Sequence, residues 1–189
     1  MSLILFILIV TCIFVYSNLY LKPNKDFQLI QANLNNFTEG ILYEKNPFII
    51  YDEIVNMYEI LNTVFKYQYV LKQKNIIDKN KIYKSKSKYA LVHNNSDTDL
   101  TINLMSPFNH VIKSHIRNNK NASYFYDIID IEIDTTQHVI DNSIGIIVKP
   151  YNMLSIPAFW MFKSNSNAQI TYLSDFIHVI ATNYLKYSY

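Results

Sequence analysis

The side chains best suited to chemistry are an aspartate pair, five histidines and an aromatic cluster. Asp97 and Asp99 stand in Asn95-Ser96-Asp97-Thr98-Asp99. Paired carboxylates can divide acid and base roles. A turn explains both without catalysis, because Asx side chains bond their own backbone two residues on. His110 and His115 have the wrong spacing for one helical face. His178 falls near the polar edge of the last predicted helix, and His138 stands alone. Metal centres need clustered ligands, so each of these four reads as a surface or partly buried residue. Trp160 and its aromatic neighbours could line a pocket, but rings of that size more readily build a core. Cys12 is the only cysteine; it sits in an apolar run and permits no intramolecular disulfide, which fits a reducing compartment. Gly40 and Gly145 are the only glycines, too few for a phosphate loop. No catalytic residue is assigned on these grounds.

Positioning falls to the stretch from Ile144 to Phe162. Ile144 to Val148 is an apolar, β-branched strand. Lys149-Pro150-Tyr151-Asn152 is a turn, with proline at a central position and Asn152 able to take a left-handed φ. Met153 to Ile156 leaves as a strand, Pro157 kinks the chain, and Phe159 to Phe162 resumes.

Other elements follow from periodicity. Phe48 to Tyr51 is a short buried strand, and 24–46 leads in without a clear period. Met57, Ile60, Leu61, Val64 and Phe65 form one helical face, with Asn56 as N-cap and Glu59 placed for a capping box. Lys66 to Gln73 alternates as a half-buried strand, and the lysine-rich 75–87 reads as an exposed hairpin or loop with a solvated face. Residues 88–94 and 100–105 are strands, 106–121 a polar crossover with one or two helical turns, and 124–133 an alternating strand. Residues 169–173 are a strand. Ser174 or Asp175 then caps a helix whose face is Phe176, Val179, Ile180 and Tyr184. Many short strands with few long helices favour an antiparallel sandwich or barrel.

The N-terminus is apolar and uncharged from Leu3 to Val15. With the extension to Leu21 it reaches the roughly 20 residues that cross a bilayer. Residues 1–22 therefore read as an uncleaved single-pass transmembrane anchor carrying Leu3, Phe6, Ile9 and Ile13, with Tyr16 and Tyr20 at the aromatic belt. A cleaved signal peptide fits less well, since no Lys or Arg precedes the run. Lys22 and Lys25 place the rest of the chain on the cytoplasmic side. Glycosylation patterns at Asn36, Asn94 and Asn121 arise easily in a chain this rich in Asn. Seventeen basic against fifteen acidic residues give a charge of +2 with no basic stripe, so nucleic acid is not an expected partner.

The run from Ile147 to Phe162 resembles the Jumonji C-like branch of the cupin superfamily, in which a Pro-Gly-Asp type turn is followed by Ile-Pro, an aromatic pair and a metal-binding His. Asn46 to Asp52 is similar to that family's opening strand. The resemblance implies a mainly β fold: a double-stranded β-helix, or jelly roll, over 46–189 with a C-terminal helix, a few peripheral helices, a lead-in at 23–45 and the anchor before it. Compact anchored versions look similar to proteins of large DNA viruses, which would suit the Asn-, Ile- and Lys-rich composition.

Active members of that family hold Fe(II) with His-x-Asp/Glu and a distal His, leaving sites for oxygen and 2-oxoglutarate. The family-motif positions here are Asn95, Pro157, Trp160 and Phe162. If His93-Asn94-Asn95 is the first motif, Asn95 replaces its carboxylate and Phe162 replaces the distal His. The turn Gly and Asp have become Tyr151 and Asn152. Two of three ligands are missing, which implies a membrane-anchored, non-catalytic interaction or structural module with neither metal nor cofactor. The alternative is an Fe(II)/2-oxo acid dioxygenase in which His93 and Asp97 or Asp99 join another His. A sugar- or lipid-binding module would instead show a concave aromatic pocket at the barrel mouth.

Overall fold

The computed structural model describes residues 2–16, 19, 21–51, 56–108, 116–131 and 143–183. Twelve strands form two six-stranded sheets. The first sheet contains β1 (Ile30–Ala32), β2 (Phe48–Ile50), β3 (Leu71–Ile77), β5 (Tyr89–His93), β10 (Met153–Pro157) and β12 (Ala168–Ser174), in the order β1-β2-β10-β5-β12-β3. The second contains β4 (Ile82–Ser85), β6 (Leu100–Met105), β7 (Ile116–Asn121), β8 (Tyr126–Ile131), β9 (Ile144–Val148) and β11 (Met161–Ser164), in the order β7-β8-β4-β11-β6-β9. Every pairing is antiparallel except β1 with β2.

The chain crosses between sheets at β3–β4–β5–β6 and again at β9–β10–β11–β12. The four-strand sets β3-β12-β5-β10 and β4-β11-β6-β9 thus have the strand order of a jelly roll. Strands β1 and β2 lengthen the first sheet; β7 and β8 lengthen the second.

Alternation explains which faces meet. Leu100, Ile102 and Leu104 on β6, Ile146 and Val148 on β9, and Ala90 and Val92 on β5 point into one core with Trp160, Phe162 and Tyr172. The middle strands of the first sheet are covered on both faces, so β5 and β10 are buried along their length rather than at alternate residues, whereas β3 at the edge alternates. Its outer face packs Tyr89, Leu91, Met153 and Leu173 against Ile60, Leu61, Val64 and Phe65. Those four belong to α3 (Met57–Thr63) and the turn after it, and Asn56 caps the helix by accepting from the Tyr58 N–H at 2.9 Å. A short α2 (Gly40–Tyr43) adds Leu42 to the same layer.

Several expectations are corrected. Residues 66–70 are not strand: Tyr67 and Val70 are exposed, and β3 begins at Leu71. The lysine-rich 75–87 is not an exposed loop but the end of β3, a tight turn and β4, both strands paired within the sheets. The crossover after Met105 ends in β7, and 109–115, where the helical turns were expected, lie outside the described residues. Phe159 and Trp160 do not resume a strand, because β10 runs through Pro157 and the chain turns at Ala158-Phe159 to change sheets before β11. The closing helix α4 (Phe176–Asn183) buries His178, Ala181 and Thr182, while Phe176 and Ile180 face outward.

The N-terminal helix α1 (Ser2–Tyr16) has 15 residues. At 1.5 Å per residue it spans about 22 Å, short of the ~30 Å hydrocarbon core. Among the described residues no helix is long and apolar enough to cross a membrane. Tyr20 lies outside them.

Candidate functional site

Aromatic rings close the barrel interior. Phe162, at the position of the expected distal ligand, is fully buried and stacks on Tyr83 with centroids 5.7 Å apart. Tyr83 meets Tyr126 edge-on at 5.7 Å, and Tyr126 stacks on Tyr172 at 5.0 Å. Phe27, from the lead-in, covers Trp160 at 5.6 Å. Burial, with Tyr126 and Tyr83 nearby, lifts the Tyr172 phenol well above its ordinary pKa. Its hydroxyl and the Trp160 indole N–H have no hydrogen-bond partner among the described residues.

The sequence-predicted ligands do not converge on this interior. His93 ends β5 in the first sheet, and Phe162 lies on β11 in the second. On β5, Tyr89 and Leu91 belong to the outer layer and Ala90 and Val92 to the interior, so alternation puts His93 on the outer side. Asn95 is exposed and donates to Gln169 Oε1 at 2.7 Å. Asp97 accepts from the Tyr151 hydroxyl at 2.6 Å, and Asp99 is exposed. Among the described residues no three His, Cys, Asp or Glu side chains lie together as a metal would require. The described residues thus do not assemble the family's iron ligands. His110, His115 and His138 are outside the described residues.

The middle residue of that supposed motif has a structural task. Asn94 is buried, and its Nδ2 donates to the carbonyls of Thr98 and Val148, each at 2.8 Å. Its Oδ1 accepts from the Ser96 N–H and hydroxyl at 3.1 and 2.7 Å. All of the amide's hydrogen-bonding capacity is used, and it fastens the β5–β6 loop to the end of β9. The β9–β10 turn is fastened beside it. Asn152 N–H bonds the Lys149 carbonyl at 3.1 Å, and Tyr151 holds φ at 63°. Proline second and a left-handed third residue make this a type II turn, with Tyr151, not Asn152, in the place that favours glycine. Its hydroxyl bond to Asp97 offsets part of that strain.

Polar chemistry gathers elsewhere, between α1, α4 and the 85–88 loop. Asp175 caps α4 by accepting from the His178 N–H at 2.8 Å. It also accepts from the Tyr16 hydroxyl at 2.7 Å and pairs with Lys88 at 3.3 Å. Burial pushes the Asp175 carboxyl up; the His178 N–H, Tyr16 and Lys88 outweigh it and hold the carboxyl below its usual value. Tyr16 is therefore joined to the domain. Lys86 pairs with Asp127 at 3.0 Å and donates to Asn121 and Asn183 at 2.8 and 2.9 Å. The solvated-face expectation fails for Lys86 and Lys88: both are buried because carboxylates and amides meet them there.

His178, expected near a polar edge, is fully buried and stacks over Phe159 at 6.4 Å. Its ring nitrogens make no well-formed hydrogen bond among the described residues, the Lys86 backbone offering only a weak contact. Burial first, opposed by Asp175 and reinforced by Lys88, lowers its pKa to about 4. The cap was visible in the sequence. The rest was not, because Tyr16, Lys88 and Asp175 are far apart along the chain.

Two surface grooves complete the candidates. One, about 650 Å³, lies between the sheet edges and is lined by Gln31, Asn33, Tyr51, Ile147, Lys149 and Asn152 among others. Among the described lining residues Tyr51 is the one aromatic ring, fewer than the expected concave aromatic pocket would carry. The other, about 700 Å³, follows α1 and is lined by residues 22–26 and 43–45.

No family model matches the chain, and no curated protein matches it. Among solved structures, RmlC from Streptococcus suis, determined in complex with dTDP-D-xylose, is similar over 67% of this chain and 60% of its own, at 10% identity and a TM-score of 0.29. The chain thus spans about 60% of the length of that protein. So slight a likeness transfers neither ligand nor activity, and the jelly-roll description rests on the strand order above.

Proposed function

We propose that this chain is a lipid-tethered jelly-roll module with an interaction or structural role, in which α1 inserts into a bilayer and the closed barrel is the part held at its surface. The observation that carries the reading is the exposure of α1. Leu3, Ile4, Phe6, Ile9, Ile13 and Phe14 all keep about half or more of their surface open, on every side of the helix. A helix apolar all round needs a protein core or lipid around it. Here its C-terminal end packs on the domain through Tyr16. Having no polar face, α1 is not built to lie flat at the interface as amphipathic helices do. Its mid-helix hydroxyl is satisfied internally, Thr11 donating to the Ile7 carbonyl at 2.8 Å, as a hydrocarbon environment demands. Lys22 and Lys25 follow the helix and favour the cytoplasmic face.

The test is flotation of the full chain with phosphatidylcholine vesicles. Wild type floats. Ile9→Asp, mid-helix, weakens binding on the order of 100-fold, as a centrally placed Asp costs about 3 kcal/mol in a bilayer. A wild-type chain that stays at the bottom of the gradient defeats the reading.

A further inference from the structure

We infer that the groove following α1 binds the phosphate of an anionic phospholipid headgroup, through Lys22, Lys25 and Lys45. The inference rests on α1 inserting into the bilayer. Position is its first support. Lys22 lies six positions after Tyr16, a reach of about 20 Å even if fully extended. Leu21, between them, is buried against Ala158, Phe159 and Ala181. The chain is thus clamped to the domain on leaving α1, and the groove is held near the depth of the headgroups.

Shape and charge are the second support. The groove, about 700 Å³, is bounded by Lys22 to Asp26 on one side and Tyr43, Glu44 and Lys45 on the other. That volume lies in the range of small-ligand sites. Asn24 Nδ2 donates to the Glu44 carbonyl at 3.3 Å and ties the two sides together. Among the described lining residues, three lysines outnumber two carboxylates, Asp26 and Glu44. Burial, then Lys22, makes Lys45 harder to keep protonated; a phosphate between them would relieve both effects. Lys45 also holds φ at 56°. Left-handed backbone in a residue other than glycine costs on the order of 1–3 kcal/mol and collects at ligand sites.

The experiment measures partition of the full chain onto vesicles of phosphatidylcholine alone and of phosphatidylcholine mixed with phosphatidylserine. Each juxtamembrane lysine contributes about fivefold to binding an anionic surface. The mixed vesicles should therefore bind wild type on the order of 100-fold more tightly than neutral ones. The triple variant Lys22→Gln, Lys25→Gln, Lys45→Gln should lose that increment yet bind neutral vesicles as before. A control triple at exposed lysines of β3 and its turn, Lys72→Gln, Lys74→Gln, Lys79→Gln, should keep it within about fivefold. If Lys45→Gln prevents folding, the double variant at Lys22 and Lys25 should still lose about 25-fold. Equal losses in both triples, or in neither, overturn the groove. Inorganic phosphate at matched ionic strength should not abolish the increment; if it does, the site is one for free phosphate and the lipid assignment falls. Failure on neutral vesicles refutes the insertion of α1, and the groove with it. Binding to neutral vesicles without a phosphatidylserine increment refutes the groove alone.

Discussion

Two buried regions of this molecule face each other across the sheet-crossing turn at Ala158-Phe159, and they are built from opposite materials. Inside the barrel, Tyr83, Phe162, Tyr126 and Tyr172 stack ring on ring among aliphatic side chains. Beneath α4, Lys86, Lys88, Asp127, Asp175 and His178 are brought into contact with one another or with amides. A jelly roll offers its interior as the natural site for chemistry. Among the described residues the interior is packed with rings and aliphatic side chains, and buried lysines and carboxylates lie at the junction where α1 joins the domain. Their arrangement holds that junction in place: one carboxylate, Asp175, receives α1, α4 and the start of β5 together.

The contrast can be broken first at Phe162. Phe162→Ala removes the ring at the centre of the stack and should cost about 4 kcal/mol of unfolding free energy, read from urea midpoints. A cost below about 1 kcal/mol would mean that the interior is not close-packed.

The junction should differ from the interior in its response to pH. His178 binds its proton near 6.5 when unfolded and near 4 when folded. Between those values the unfolded chain holds more protons, so stability falls as pH drops through that window and is unaffected by this group above it. The loss reaches about 3 kcal/mol at most, given 1.36 kcal/mol per unit. His178→Phe should flatten the window. Asp175 acts lower down: its carboxyl sits below the ordinary value of 3.8, so its contribution is present above that value and is lost as pH falls through the lower, folded pKa. A wild-type profile flat from pH 7 to 4 would contradict the buried, neutral imidazole.

Smaller still is the effect at Tyr172. Its hydroxyl is buried without a partner among the described residues, so Tyr172→Phe should leave stability unchanged or raise it by up to about 1 kcal/mol. A clear loss would reveal a polar partner inside the barrel. The least global effect belongs to Tyr16→Phe. It removes one hydroxyl bond to Asp175 and should barely move the urea midpoint, yet amide exchange in the last turn of α1 should accelerate about fivefold for the ~1 kcal/mol lost.

Much of the fold was legible in the sequence, for physical reasons that differ by element. The bounds of β9 and β6 follow from apolar runs ended by Pro150 and by the Asn95–Asp99 turn. The α3 cap follows from Asn56. By contrast β4 was hidden, because Lys84, Lys86 and Lys88 look like a wet surface until Asp127 and Asp175 come from distant parts of the chain to meet two of them. The face of α4 was misread because a fully buried His178 breaks the rule that imidazole prefers an edge. The supposed ligand motif at His93 to Asn95 misled for a related reason. Spacing along a strand does not reveal what each side chain engages, and Asn94 is committed to the carbonyls of Thr98 and Val148.

The central claim, that α1 lives in lipid, can be tested at one atom. Cys12 is the only cysteine, and it lies exposed on α1. With a polarity-sensitive fluorophore on its thiol, the full chain should show a blue-shifted emission when phosphatidylcholine vesicles are added, and the label should become inaccessible to a water-soluble quencher. Emission and quenching that stay as they are in buffer would contradict the account.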